Sequence, residues 1–321
     1  MAKPKLALYW AASCGGCEIA VLDIHEKILD VDRAFDIVFW PAAMDFKYDA
    51  VRAMEDRTID LCLFNGSIRN SENAEIAHLM RAKSKTLVAF GSCALEGGIP
   101  GLANLTTRDE IWGYVYKGSP STVTQNGGTY PQTHSAMPEG AIHIPEMWNT
   151  VKSLDQVVDV DYYIPGCPPQ PDQIWSVVEY ILSGKPLPPA GSILGAGDKT
   201  CCDECTRERK EKKLTKFYRP FEIETDPAVC LLDQGIVCMG PATRSGCGAL
   251  CTKANVPCRG CYGPPPNVTD QGAKMLSALS SVIDAHDPAE IEAILDQIAD
   301  PMGTFYRFSL AHSILRRVQK S

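Results

Sequence analysis

No apolar run in these 321 residues approaches the ~18 needed to cross a bilayer, so no transmembrane helix is expected. Positive charge is not in excess. Lys and Arg total 31 against 39 Asp and Glu, and the net charge of −8 argues against bulk nucleic-acid binding. The run 91–97, Gly-Ser-Cys-Ala-Leu-Glu-Gly, lacks the Gly-Lys-Ser/Thr of a phosphate-binding loop, and neither a Rossmann fingerprint nor a supported Ser/His/Asp grouping is found. The six histidines are dispersed, and none lies between residues 201 and 261. With 45% apolar and 22% charged residues, disorder, collagen and coiled coil are excluded as the main architecture. The length suggests about two domains. Lys3 and Lys5 precede an apolar stretch ending at Cys14, but it is too short for a convincing export signal and carries no twin-arginine pair. A cytosolic chain that binds neither membrane nor nucleic acid is expected.

What is abundant is cysteine. Of fourteen, five lie in the first 200 residues and nine in 201–261. A chain with a large apolar core does not need disulfides, and in the cytosol clustered thiols usually bind metal.

Apolar runs at 5–10, 36–40, 59–64, 86–90 and 161–164 read as strands. Between and after them, helices are expected over 18–29, from Ser71 onward, and from Pro171 to about Leu182. Strands alternating with helices predict an α/β fold with a doubly wound parallel sheet, whose sites form at the carboxyl ends of strands. Cys14, Cys17, Cys93 and Cys167 all fall just past predicted strand ends, so four thiols distant in sequence can converge on one edge. The stretch 184–191 is rich in Gly and Pro and marks a boundary, giving domains 1–185 and 186–321. Residues 201–266 lack periodicity, and loops held by something other than a core are expected there. Helices return over 271–284, over 288–298 with Asp287 as cap, and over 305–318.

The first thiol set is Cys14, Cys17, Cys93 and Cys167, flanked by glycines that let backbone N–H groups approach the sulfurs. A thioredoxin-like dithiol is the alternative for Cys14/Cys17, but it leaves Cys93 and Cys167 unexplained. The second set begins at Cys201-Cys202-Asp203-Glu204-Cys205 and continues with Cys230 and Cys238; the third is Cys247, Cys251, Cys258 and Cys261. Cys62, inside an apolar strand, reads as a buried hydrophobe. Cys202 makes the tighter C-x-x-C with Cys205, with Cys201 the alternative. Setting aside Cys62 and one of the tandem pair leaves twelve thiols in three groups of four, the ligand count of a 4Fe–4S cluster and also of structural zinc. The lack of histidine, and the sense of three sites as an electron chain, favour iron. The basic run 207–213 reads as a solvated helical face, or less readily as a docking patch for an acidic partner.

These motifs resemble the small subunit of NiFe hydrogenases. The residues that carry the likeness are SCGGCE (13–18), GSCALEGGIPGLAN (91–104), PGCPPQPDQI (165–174), CLLDQGIVCMGP (230–241), GCGALC (246–251) and PCRGCYGPP (257–265). The resemblance implies a flavodoxin-like domain followed by an irregular C-terminal iron–sulfur cluster domain with terminal helices. It implies an oxidoreductase subunit with H2 as donor, and no catalytic residues of its own. It implies three 4Fe–4S clusters: proximal on Cys14, Cys17, Cys93 and Cys167, medial on Cys247, Cys251, Cys258 and Cys261, and distal on Cys202, Cys205, Cys230 and Cys238. The implied partners are a NiFe large subunit and an iron–sulfur or flavin acceptor subunit of a heterodisulfide reductase complex.

Many relatives place histidine where Cys202 stands, have only three medial cysteines where Cys251 here supplies a fourth, and have Glu-Gly where this chain has Asn65-Gly66. These departures point to the cytosolic methanogen group that feeds heterodisulfide reductase, with the deazaflavin-reducing group as alternative. Quinone-linked or carbon-oxidising complexes share the N-terminal half but usually lack a segment like 201–261.

Overall fold

Five strands that are apolar on both sides build the centre of the molecule, seen here in a computed structural model that describes residues 3–123, 127–210 and 213–316. They are β1 (Lys5–Trp10), β2 (Asp36–Phe39), β3 (Ile59–Asn65), β5 (Ser84–Phe90) and β9 (Tyr162–Ile164). All pair in parallel in the order β2-β1-β3-β5-β9, with Leu8 opposite Leu63 and Val88 opposite Tyr162. The α/β doubly wound sheet expected from the alternating strands and helices is therefore present. Alternate residues feed two layers. Leu8, Leu63, Val88, Phe90 and Ile164 pack with Ile174 and Val177 of the helix Pro171–Leu182. Tyr9, Phe64, Leu87 and Ala89 pack with Ile76 and Met80 of the helix Ser71–Lys83, which Asn70 caps. Cys62 is fully buried in this second layer.

A long excursion leaves the sheet after β5. The short strand β4 (Ile68–Asn70) pairs antiparallel with β8 (Met147–Lys152), and β6 (His134–Met137) pairs with β7 (Gly140–His143). Asn104 holds the excursion to β8: its amide donates to Val151 O at 2.9 Å and accepts from Val151 N at 2.8 Å, and the residue is buried. Asn104→Ala strands both backbone groups, which should cost about 2 kcal/mol or more. A lowered denaturant midpoint is the expected reading, and an unchanged one would show the pair to be idle.

Several expected helices differ. The helix over 18–29 is broken into Gly16–Leu22 and Ile28–Ala34, because His25 adopts a left-handed φ of +58° between them. The helix expected over 271–284 stops at Ser280, since the backbone of Val282 and Asp284 is engaged by Leu214 instead. The helix expected over 305–318 begins earlier, at Pro301 with Asp300 as cap, and ends at Phe305. Phe305, Tyr306, Phe308, Leu310 and Ala311 are all buried, so no single helical stripe serves them; residues 317 and 318 of that range lie outside the described residues.

The basic run is not helical either. Glu208 N donates to Ala228 O and Cys230 N to Glu208 O, an extended pairing, while Arg207 is buried. Residues 211 and 212 of the run lie outside the described residues. Asp287 does cap the helix Pro288–Leu295 as expected.

The cysteine-rich region also has a core, contrary to expectation. Leu231, Leu232, Ile236 and Met239 pack with Met275, Leu279, Ile294 and Phe305, and with Cys201, Cys238 and Cys258. The C-terminal segment returns to the first half, where Gln156 donates to Ala311 O at 2.9 Å and His312 meets Asp155 at 3.3 Å.

Candidate metal centre

The loops after β1, β5 and β9 meet at one end of the sheet, where parallel strands open toward a site. Gly91 N donates to Ile164 O at 2.8 Å and Ser92 N to Gly166 O at 2.7 Å, which binds the Cys93 and Cys167 loops together. Cys17 interacts electrostatically with Cys93, Cys167 and Cys14, so the four thiols of the first set form one nest. Cys17 and Cys93 are buried and Cys14 is exposed. The glycines are required by contact. A Cβ on Gly91, at φ +84°, would stand 2.3 Å from Cys17 Sγ, and one on Gly98 would stand 2.5 Å from Cys93 Sγ. Glu18 is buried beside the nest with Trp40 Nε1 donating to its carboxylate, and burial raises its pKa despite Trp40 and Asn65.

The second and third sets share the C-terminal core. Cys202, Cys205, Cys230 and Cys238 line one small cavity, with Cys201 and Arg209 at its wall. Cys247, Cys251, Cys258 and Cys261 interact with one another. Buried Arg207 clamps the loops that carry them: Nε donates to Thr252 O at 2.9 Å, Nη1 to Val229 O at 2.9 Å, and Nη2 to Asn255 Oδ1 at 2.6 Å. Nothing in the basic run distinguishes Arg207 in sequence from its solvated neighbours.

The three nests are contiguous. Cys261 interacts with Cys167 of the first, and Ser92 Oγ donates to Cys261 O at 2.5 Å. At the other end Cys258 N donates to Cys238 Sγ at 3.3 Å. The third set in sequence is thus the middle one in space.

Soft thiolates are the ligands of iron–sulfur clusters, and here backbone N–H groups already point at sulfur. Gly16 N reaches Cys14 Sγ at 3.4 Å, Gly240 bonds Cys238, and Gly260 bonds Cys258. Burial raises Cys17 and pushes Cys93 and Cys238 up to about 12, so these thiols hold their protons until a metal offsets the charge. Among the described residues no three His, Cys, Asp or Glu side chains stand close enough to hold a single metal ion. The donor set fits clusters.

Residues 14–181 match the family described as NADH ubiquinone oxidoreductase, 20 kDa subunit. The chain is 41% identical over 323 residues to the iron-sulfur subunit of the F420-non-reducing hydrogenase of Archaeoglobus profundus, covering 98% of each. It is 37% identical to an F420-non-reducing hydrogenase subunit of Methanothermobacter marburgensis, covering 98% of this chain and 96% of the other. In fold it is similar to a chain of the NiFeSe hydrogenase of Desulfovibrio vulgaris Hildenborough, with a TM-score of 0.52 at 17% identity over 83% of this chain and 95% of that one.

Proposed function

The chain belongs to the NADH ubiquinone oxidoreductase 20 kDa subunit family as a NiFe hydrogenase small subunit of the F420-non-reducing type, and from that membership we propose that it relays electrons from H2, oxidised in a large-subunit partner, through three 4Fe–4S clusters to a heterodisulfide reductase complex. The observation that carries this reading is the contiguity of the nests, Cys167 to Cys261 and Cys258 to Cys238. Bound clusters would supply one-electron transfer. This chain's residues hold and tune them: Cys14, Cys17, Cys93 and Cys167 the proximal; Cys247, Cys251, Cys258 and Cys261 the medial; Cys202, Cys205, Cys230 and Cys238 the distal. The chain divides at residue 185, with the proximal site before it and the other two after.

The proximal end is the face for the large subunit. Trp10, Cys14, Ile19, Leu22 and Ile99 are exposed around it, an apolar rim suited to an obligate interface. Among the described residues no disulfide is formed, and no helix is long and apolar enough to cross a membrane. The F420-non-reducing relatives favour the heterodisulfide-linked group over the deazaflavin-reducing one.

The test is anaerobic purification of the native complex. H2-dependent dye reduction should accompany the complex and be absent from the isolated chain. H2 oxidation by the isolated chain would overturn the subunit reading.

A further inference from the structure

Cys201 and Cys202 are consecutive residues of one short helix, Cys201–Glu204, fixed at its start by Thr200 N and Oγ1 donating to Asp203. Consecutive helical side chains point about 100° apart, and here the two thiols serve different nests. Cys202 faces the distal one. It interacts with Cys230, and a Cβ on Gly240 would stand 2.9 Å from Cys202 Sγ and 3.7 Å from Cys238 Sγ. Cys201 borders the distal cavity too, but its sulfur is held toward the middle set. Its thiol engages the thiols of Cys247 and Cys258, its N–H donates to Thr243 O at 2.8 Å, and the Thr243 hydroxyl lies 3.5 Å from Cys258 Sγ. Cys201 is 2% exposed, whereas Cys251, which interacts with the same two thiols, is exposed.

Five thiols therefore surround the middle site, one more than a four-iron cluster takes. Cys62 shows what a merely packed cysteine looks like in this fold: it sits among apolar side chains of the sheet and approaches no other thiol, whereas Cys201 is buried against two proposed ligands.

We propose that Cys201 is a reserve ligand of the medial site, able to take the iron that Cys251 holds when that exposed ligand is lost. The inference rests on the three-cluster reading above. In the exchange the Cys201 thiol gives up its proton and forms an S–Fe bond, while the Cys251 sulfur leaves its iron and takes up a proton. No electron is transferred, and the cluster stays four-iron.

The test compares wild type, Cys251→Ala, Cys201→Ala and the double variant in the assembled complex, by iron content and paramagnetic resonance. Wild type and both single variants should hold about twelve iron per copy of this chain beyond that of the large-subunit centre, with Cys251→Ala showing a shifted medial signal. The double variant should show the oxidised three-iron signal or lose the medial cluster. Cys201→Ser in the Cys251→Ala background, nearly isosteric, should behave as the double variant does, which separates ligation from packing. A three-iron signal or a lost medial cluster in Cys251→Ala alone would overturn the proposal, as would a four-iron medial cluster in the double variant. Wild type without about twelve iron would instead bring down the three-cluster reading itself.

Discussion

Cys205→Ala is expected to separate two activities of the assembled complex: proton–deuterium exchange survives, and electron delivery to the native acceptor falls to background. Cys205 follows the helix Cys201–Glu204, borders the distal cavity, and lies at the opposite end of the row of nests from Cys14 and Cys17. Cys201 borders the same cavity but engages the thiols of Cys247 and Cys258, which competes with any role as a substitute for Cys205. Loss of even an outer-shell partner costs ~10–100-fold in metal affinity, and removal of a ligand should cost more. In the proposed arrangement exchange needs only the large-subunit centre, which lies beyond the other end of the row. The two rates are measured on the same preparation, by mass spectrometry of HD and by acceptor reduction under H2. Undiminished delivery would mean that electrons leave by another site.

A loss of both activities is expected for Gly91→Ala. The new methyl would stand 2.3 Å from Cys17 Sγ, and φ +84° adds roughly 1–3 kcal/mol of backbone strain. Cys17 cannot retreat, because it is buried against the sheet's first core layer. The proximal site should fail to load, leaving about eight iron per chain, and both exchange and delivery should collapse if that site is, as proposed, the large-subunit face. Gly184→Ala is the control. It has a comparable φ of +66° but nothing within 4 Å, so it should cost only strain and keep full iron. Full iron in Gly91→Ala would show that the close approach is not required for loading.

The sheet was legible because strands buried on both faces read as continuous apolar runs: Leu61-Cys62-Leu63-Phe64 supplies one layer with Leu61 and Leu63 and the other with Cys62 and Phe64. The convergence of Cys14, Cys17, Cys93 and Cys167 followed from their place past strand ends. What sequence could not show was the direction of side chains in irregular backbone. Arg207 sits in a run that looks solvated, yet it is buried on three backbone carbonyls and Asn255. Spacing favoured Cys202 over Cys201 for the distal set, but it could not show that the Cys201 thiol engages Cys247 and Cys258. The third core was hidden because Leu232, Ile236 and Met239, although spaced as on a helix face, lie on a single tight turn ended by left-handed Gly235 and on irregular backbone beyond it. The excursion across β4 to β8 was missed for a related reason: its strands are short, and β6 and β7 are mostly exposed.

The central claim is that the three thiol nests hold three four-iron clusters. Iron, zinc and acid-labile sulfide, measured on the anaerobically purified complex and expressed per copy of this chain after subtracting the iron of the large-subunit centre, test it most directly. About twelve iron and twelve sulfide, with no zinc, is the predicted result. Zinc in place of iron, or iron near four per chain, would contradict it.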